Sequence, residues 1–295
     1  MQQKTIAIVG FGDLGERLSS LLFAPKWRCY GLRRTAGAVP AGVEGIAVDL
    51  QDARSRRVRE RLQPEVLVIA LSPEDRSAAG YHAGFADAMA AVVAGLGQHR
   101  PERAFFVSST RVYAEVNGAW VNEDSATAGQ DPHVMAILSA ERQFLDAIDA
   151  GVVLRAGGLY GQGPGPLLKR VAAGKLTPAA PLRYANRIHR DDVAGFMAFG
   201  LEDRARLAAP IINLVDDAPV PLQETEAWLC AQLGQAYEPP ALDSAPNDIA
   251  HKRITNAWLH ASGYTLQYPD YRAGYGAVLQ RWMAHSERED GLDLH

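Results

Sequence analysis

The stretch Ile6-Ala7-Ile8-Val9-Gly10-Phe11-Gly12-Asp13-Leu14-Gly15 decides the fold. An apolar strand ends at a G-x-G-x-x-G loop and leads directly into a helical pattern of leucines. The first glycine permits the tight turn, the second lets the backbone approach a pyrophosphate, and the third lets the helix pack on the strand. The unpaired N–H groups of the helix N-terminus then favour an anion. The residues predicted to bind a dinucleotide phosphate are Gly10, Phe11, Gly12, Asp13, Leu14 and Gly15.

The second predicted strand indicates which dinucleotide is preferred. NAD sites place an acid about 20 residues after the glycines, where it binds the ribose 2′-OH. Here Arg28–Leu32 has no acid at its end and continues into Arg33 and Arg34. Guanidinium groups suit a 2′-phosphate, so the sequence predicts NADP and leaves NAD open. The alternative is that the two arginines are an ordinary solvated surface.

Composition bounds the class of protein. A chain of 295 residues, 47% hydrophobic, can bury one large core with an appended lobe. A formal net charge of −4 argues against general nucleic-acid binding. No apolar run reaches the ~20 residues of a membrane span, and the N-terminal run is too short for a signal peptide. We therefore expect a cytoplasmic protein with a small-molecule substrate, no metal, and no nucleic-acid or membrane partner; a homodimer stays open.

Alternating elements predict the architecture. Apolar strands are predicted at about 4–9, 27–32, 45–48, 65–71, 103–108 and 151–155. Helices are predicted at about 13–24, 52–62, 80–98 and 134–149. This alternation is typical of an α/β fold with a Rossmann-type doubly wound parallel sheet, whose strands end at one ligand-binding edge. We expect residues 1–160 to bind the dinucleotide and residues 161–295 to form a smaller C-terminal substrate lobe, interleaved with the last elements of the sheet.

Three further motifs carry a family resemblance. They are Ser108-Ser109-Thr110-Arg111-Val112-Tyr113, Leu154-Arg155-Ala156-Gly157-Gly158-Leu159-Tyr160-Gly161-Gln162-Gly163 and Ile188-His189-Arg190-Asp191-Asp192-Val193-Ala194. With the N-terminal glycines, they resemble the extended short-chain dehydrogenase/reductase superfamily of nucleotide-sugar epimerases and dehydratases. The resemblance covers nearly the whole chain. The closing stretch from Lys252 to Ala257, with Tyr268-Pro269-Asp270-Tyr271, looks like an atypical bacterial branch.

The resemblance implies catalytic roles and also exposes a gap. Ser109 falls at the position of the hydroxyl that orients a substrate carbonyl or hydroxyl. The superfamily's proton donor is the tyrosine of a Y-x-x-x-K pair, but no tyrosine of this chain has lysine four residues later. Alignment on Glu141 puts His133 at the tyrosine position and Ile137 at the lysine position. The acid/base groups are therefore non-standard.

Several groups could supply the missing proton. His133 could act as an acid/base, because an unperturbed histidine side chain changes charge near neutrality, although the preferred interpretation is an exposed residue at a helix start. Tyr113 and Tyr160 are alternative donors, although such tyrosines more often pack near the cofactor. Arg111 lies where dehydratases place an acidic group and could bind a substrate carboxylate or phosphate.

The resemblance also implies the remaining cofactor contacts. Asp49, followed by Leu50, resembles the residue that meets the adenine amino group, with a helix N-cap as the alternative. Ala70, Leu71 and Ser72 resemble the lining beside the adenosine ribose. The further residues predicted near the nicotinamide are Ser108, Arg155, Gly158 and Tyr160.

Two functions remain open at this stage. The first is an NADP-dependent oxidoreductase or epimerase/dehydratase-like enzyme acting on a small carbonyl, hydroxyl or nucleotide-sugar-like substrate. The second is a catalytically inactive NADP(H)-binding regulator or redox sensor, which the missing Y-x-x-x-K pair favours.

Overall fold

The computed structural model describes residues 3–22, 26–35, 37, 39–52, 62–203, 206–241 and 251–290, with the backbone alone for 285–290. The strands are β1 Lys4–Val9, β2 Trp27–Arg33, β3 Val43–Ala47, β4 Val66–Ile69, β5 Arg103–Ser109, β6 Trp120–Val121, β7 Gly151–Ala156, β8 Gly158–Tyr160, β9 Arg187–His189, β10 Ile211–Leu214 and β11 Arg253–Ile254. The helices are α1 Asp13–Leu21, α2 Ala78–Tyr81, α3 Ala88–Leu96, α4 Pro132–Ala147, α5 Gly165–Ala172, α6 Arg190–Glu202, α7 Leu222–Gln232, α8 Ala257–Ala261 and α9 Tyr271–Asp290. A π-helical turn, His82–Asp87, joins α2 to α3.

Seven strands form one parallel sheet in the order β10-β7-β5-β4-β1-β2-β3. The chain runs outward from β1 through β2 to β3, then returns to β4 on the other side of β1. The predicted α/β doubly wound fold is therefore confirmed. The reversal between β1 and β4 is the switch point at which such sheets bind ligands.

Two apolar layers hold the sheet. Ile6 and Ile8 face the core with residues of α1 and α6, whereas Ala7 and Val9 face the core with residues of α3 and α4. This alternation follows from the two-residue period of a strand, and it requires both faces to be covered by helices. A third core joins α5, α7 and α9 in a smaller C-terminal lobe.

The sequence missed or displaced a few elements. The seventh strand, β10, was not predicted, because its four residues follow a proline-rich stretch with no alternation. The strand predicted at 65–71 ends at Ile69, since residues 70–72 leave the sheet. The helix predicted at 52–62 lies almost wholly outside the described residues. Because β10 pairs with β7, the C-terminal part contributes to the main sheet; the division at residue 160 stays a prediction.

One aromatic ring fixes the first turn of α1. Phe11 is 2% exposed, and its ring lies between Gly15 of α1 and Gly31 of β2. A Cβ at Gly15 would lie 2.9 Å from Phe11 Cδ2, and a Cβ at Gly31 would lie 2.8 Å from the same atom. Both positions therefore exclude a side chain while the ring stays in place.

We predict that Gly31→Ala lowers the free energy of unfolding by about 1–3 kcal/mol, because the added methyl group overpacks the Phe11 ring. Gly129→Ala is the control, since nothing lies within 4 Å of a Cβ at Gly129. Urea unfolding measures both, and Phe11→Leu combined with Gly31→Ala should recover part of the loss. Equal stabilities of the two glycine variants would contradict this packing.

Candidate functional site

The switch point between β1 and β4 is a close contact of two backbones. Gly10 has a φ of +77°, and a Cβ there would lie 2.2 Å from the carbonyl oxygen of Ala70. The N–H of Gly10 donates to the carbonyl of Leu32 at 3.0 Å. Only glycine satisfies both the left-handed φ and the close approach.

The N-terminus of α1 opens onto a cavity. Gly12 is its N-cap, in an extended conformation and without a side-chain acceptor for the first-turn N–H groups. A Cβ at Gly12 would meet only the Gly10 carbonyl oxygen, at 4.0 Å, so the space in front of it is open. Unsatisfied N–H groups beside open space suit an anion, and a dinucleotide pyrophosphate fits this position.

The cavity has a volume of about 680 Å³ and follows the edge of the sheet from β1 to β3 and β4. The predicted cofactor residues that line it are Gly10, Phe11, Gly12, Arg33, Arg34, Asp49, Leu50, Ala70, Leu71 and Ser72. Phe11 contributes little more than backbone, because its ring is buried. Asp49 Oδ1 accepts from the N–H of Gln51 at 3.0 Å, a local turn contact.

The sequence missed several other lining residues. They are Thr35, Gln51, Pro73, Glu74, Ala83 and Gly84. Gly84 belongs to the π-helical turn, and a Cβ there would lie 2.6 Å from Pro73 Cα. This tight approach brings the turn to the cavity, and no sequence pattern signals it.

An exposed ion pair joins two segments that line the cavity. Arg34 Nη1 donates to Glu74 Oε1 at 2.6 Å, and both side chains are 71% exposed. Arg33 precedes it at the end of β2 and also lines the cavity. An incoming 2′-phosphate would therefore meet Arg33 together with an arginine that already has a carboxylate partner.

Asp13, Leu14 and Gly15 do not line this cavity. Asp13 Oδ2 accepts from Arg17 Nε at 3.0 Å and from Arg190 Nη1 at 3.1 Å. The two guanidinium groups offset a carboxylate that would otherwise repel phosphate. Asp13 thus links α1 to α6 through its side chain.

Three predicted site residues belong instead to a buried polar cluster around Glu141 of α4. Arg155 Nη2 donates to Glu141 Oε2 at 2.7 Å, and Ser108 Oγ donates to Glu141 Oε1 at 2.5 Å. The Tyr113 hydroxyl donates to Asn213 Oδ1 at 2.6 Å. Burial tends to lower the pKa of Arg155, but the Glu141 carboxylate outweighs it and raises that pKa. Burial raises the pKa of Tyr113.

This cluster places the side chains of Ser108, Arg155 and Tyr113 inside the protein. Each residue is less than 9% exposed and makes a buried hydrogen bond, although Arg155 Nη1 has no hydrogen-bond partner among the described residues. None of them lines the cavity. Ser108 and Arg155 link α4 to β5 and β7 through Glu141, and the roles of Ser108 and Arg155 at the cofactor and of Tyr113 as a proton donor stay predictions.

Tyr160 and Gly158 lie outside the lining of the cavity. The Tyr160 ring stacks on Tyr275 with centroids 4.7 Å apart, inside the core of the C-terminal lobe. Burial raises the pKa of Tyr160, so its phenol is a poor proton donor. Gly158 is exposed and donates its N–H to the Asn186 carbonyl at 2.9 Å. The contacts of Tyr160 and Gly158 with the cofactor stay predictions.

Ser109 and His133 stay the candidate catalytic groups. Ser109 ends β5 half-buried, and its Oγ accepts from the N–H of Arg111 at 3.2 Å. His133 is half-buried, with Nδ1 2.9 Å from Asp131 Oδ1 and Nε2 3.1 Å from the Arg76 carbonyl oxygen. With an oxygen beside each ring nitrogen, the imidazole is held in one orientation. Ile137, at the superfamily's lysine position, is 1% exposed.

The described residues hold neither a metal-binding cluster nor a helix suited to crossing a membrane. No group of three or more His, Cys, Asp or Glu side chains could hold a metal ion. None of the helices found there combines the length and the apolar character of a membrane span.

The chain is similar in sequence and in structure to known proteins. No protein-family model matches the chain. Protein YeeZ of Escherichia coli (strain K12) is 30% identical over 283 residues, which cover 90% of this chain and 97% of YeeZ. A structure described as "putative NAD-dependent epimerase/dehydratase" from Methylobacillus flagellatus is 33% identical, with a TM-score of 0.80, and covers 95% of this chain and 99% of its own.

A more distant structure shows the fold alone. MoeE5, solved with UDP-glucuronic acid and NAD, is 16% identical with a TM-score of 0.78, over 96% of this chain and 99% of MoeE5. Together the likenesses confirm the resemblance stated from the motifs.

We predict that Arg155→Met lowers the free energy of unfolding by about 3–5 kcal/mol, because it leaves the Glu141 carboxylate buried without its cation. Replacing both Glu141 and Arg155 by methionine should recover most of this loss. Urea unfolding provides the measurement. Arg28→Met, which breaks the exposed pair with Glu44, is the control and should change stability little. An Arg155→Met variant as stable as the control would contradict the assigned role.

Proposed function

Because the chain belongs to the NAD-dependent epimerase/dehydratase-like family of extended short-chain dehydrogenases/reductases, we propose that it is an NADP-preferring oxidoreductase or epimerase-like enzyme. Its substrate is a small carbonyl or hydroxyl compound or a nucleotide-sugar-like molecule. The observation that carries the proposal is the open space before Gly12, at the helix N-terminus and the switch point of the sheet. Residues 161–295 supply the substrate-binding side.

The cavity residues have distinct roles in this proposal. The N-terminus of α1 binds the pyrophosphate through backbone N–H groups, and Gly12 leaves room for it. Arg33 binds the 2′-phosphate, where an acid would repel it. Asp49 and Ala70 to Ser72 line the adenosine half.

The reacting end uses Ser109 and His133. A bound nicotinamide cofactor would supply hydride transfer to or from a substrate carbon. Ser109 orients the substrate oxygen by a hydrogen bond from Oγ–H. His133 holds the proton, with Asp131 fixing its ring orientation through Nδ1. The alternative is an NADP(H)-binding regulator, which the buried Ile137 at the lysine position favours.

We predict that NADPH binds more tightly than NADH, because a charge-assisted hydrogen bond to the 2′-phosphate contributes about 1.5–3 kcal/mol. Calorimetry on Arg33→Ala should show NADPH binding weakened by at least about tenfold, with NADH little changed. Glu74→Gln should strengthen NADPH binding, because it frees Arg34 from its carboxylate partner.

The controls separate the 2′-phosphate from the rest of the site. Gly12→Val should abolish binding of both dinucleotides while circular dichroism stays native-like, and Gly129→Val should leave binding intact. Equal affinities of the unmutated protein for NADH and NADPH would contradict the NADP preference, and undiminished binding by Gly12→Val would remove the phosphate site.

We predict that Ser109→Ala and His133→Phe each reduce NADPH-dependent turnover by roughly 10²–10⁴-fold, the usual contribution of a placed acid/base group. A panel of carbonyl compounds and nucleotide sugars first identifies a substrate. NADPH affinity should change little, because neither residue lines the dinucleotide cavity. Thr127→Ala is the comparison, because Thr127 forms a backbone bridge with Tyr113 and is not one of the proposed reacting groups. Tight NADPH binding without turnover across the panel would favour the regulator.

A further inference from the structure

A buried lysine near the ends of β5 and β7 has no carboxylate partner among the residues that the structure describes. Lys252 is 7% exposed, and its Nζ donates to the backbone carbonyl of Tyr113. It forms no ion pair with any carboxylate in the part of the chain that the structure describes. A buried ammonium group is normally paired with a carboxylate, because the transfer of an unpaired charge from water into the protein interior costs free energy.

Hydrogen bonds fix the backbone of Lys252. The side-chain amide of Asn186 donates to the Lys252 carbonyl at 2.9 Å and accepts from the N–H of Ile254 at 2.9 Å. The Asn186 carbonyl in turn accepts from Gly158, just after β7. Strand β11 pairs with β6, which holds the other side of the segment.

This placement brings Lys252 to the proposed reacting end. Tyr113, whose carbonyl it binds, lies four residues after Ser109 in the segment that follows β5. Ser109 is directly opposite Ala156 of β7 in the sheet, two residues before Gly158. Lys252 therefore lies across the carboxyl ends of β5 and β7, beside the strand that carries Ser109.

The charged groups near Lys252 do not neutralise its ammonium group. Burial lowers the pKa of Lys252; the charge of Glu115 opposes this, and that of Arg111 adds to it. Glu115 is engaged with its own loop, because its Oε1 accepts from the N–H of Asn117 at 2.5 Å and of Ala119 at 3.2 Å. Arg111 adds a second cation, which contacts Asp131 at 3.4 Å and lies 5.4 Å from the centroid of the Tyr81 ring. Arg253 follows the lysine in the chain, so among these groups the two arginines outnumber the one carboxylate.

We infer that Lys252, together with Arg111, binds an anionic group of the substrate, a carboxylate or a phosphate. The inference rests on the proposed function, since it names the substrate class of the same site. An anion between the two side chains satisfies the ammonium and offsets the repulsion between the cations. The substrate is then an acid or a phosphate ester, not a neutral carbonyl compound.

Nuclear magnetic resonance can test this directly, because the chain has five lysines. Protein labelled with ¹³C at lysine Cε is saturated with NADPH, so that phosphate cannot enter the dinucleotide site. Lys252→Arg assigns the signal, and inorganic phosphate and acetate are added in separate arms. We expect phosphate or acetate to shift the Lys252 signal and to raise its titration midpoint. Without anions, that midpoint should lie below that of the urea-unfolded chain.

Variants separate binding from structure. Lys252→Met should lose the anion response of the neighbouring Arg111 guanidinium signal, Lys252→Arg should keep it, and Lys175→Met is the exposed-lysine control. Lys252→Met should also unfold at the same or a higher temperature, because it removes an unpaired buried charge. A response to phosphate alone indicates a phosphate ester, and a response to acetate indicates a carboxylic acid.

Two results would overturn the inference. The first is a Lys252 signal unaffected by either anion in protein that binds NADPH. The second is a Lys252→Met variant that unfolds at a clearly lower temperature and keeps the Arg111 response, since the lysine would then be structural. Failure to bind NADPH would instead overturn the proposed function, because the response of Lys252 can be followed without the dinucleotide.

Discussion

The Phe11 ring is the contact on which the dinucleotide cavity depends. It lies between two glycines, one in α1 and one in β2, and it holds the helix N-terminus at the end of β1. The N–H groups of Gly10 and Phe11 both donate to the Leu32 carbonyl. The phosphate loop and the strand that leads to Arg33 are therefore one rigid unit. A shift of the ring would move both the helix N-terminus and the arginines.

Two buried cations in this protein have opposite surroundings. Arg155 has a carboxylate partner, Glu141, in two hydrogen bonds, and the cluster ties α4 to β5 and β7. Lys252 has one backbone carbonyl and a second cation nearby. A paired buried charge is explained by the fold, since its desolvation is offset inside the protein. The fold does not explain an unpaired buried charge, because nothing inside the protein offsets its desolvation. Such a group fits a binding site in which a ligand supplies the opposite charge.

The polar cluster around Glu141 also explains why Ser109 and His133 are better candidates for the acid/base groups than Ser108 and Tyr113. Tyr113 and Ser108 have hydroxyl groups in the right motif, but their hydrogen bonds are made within the core. Ser109, one residue further, alternates to the other side of the strand and stays half-buried. Asp131 is the N-cap of the helix that carries His133, and its carboxylate also orients the His133 ring. The position of His133 at a helix start is therefore compatible with its role as an oriented imidazole.

The sequence by itself determined the fold class, the glycine loop and half of the residues that line the cavity, because these depend on local patterns: strand periodicity, glycine spacing and residues next to strand ends. It did not determine β10, which is a strand only because β7 offers an edge. Nor did it show that Arg34 meets Glu74, that the π-helical turn reaches Pro73, or that Arg155, Ser108 and Tyr113 turn inward. Lys252 was part of a motif without an assigned role. Only the tertiary structure decided these points, because each depends on contacts between segments that are distant in the chain. In those contacts, burial and the pairing of charges determine the role of each side chain.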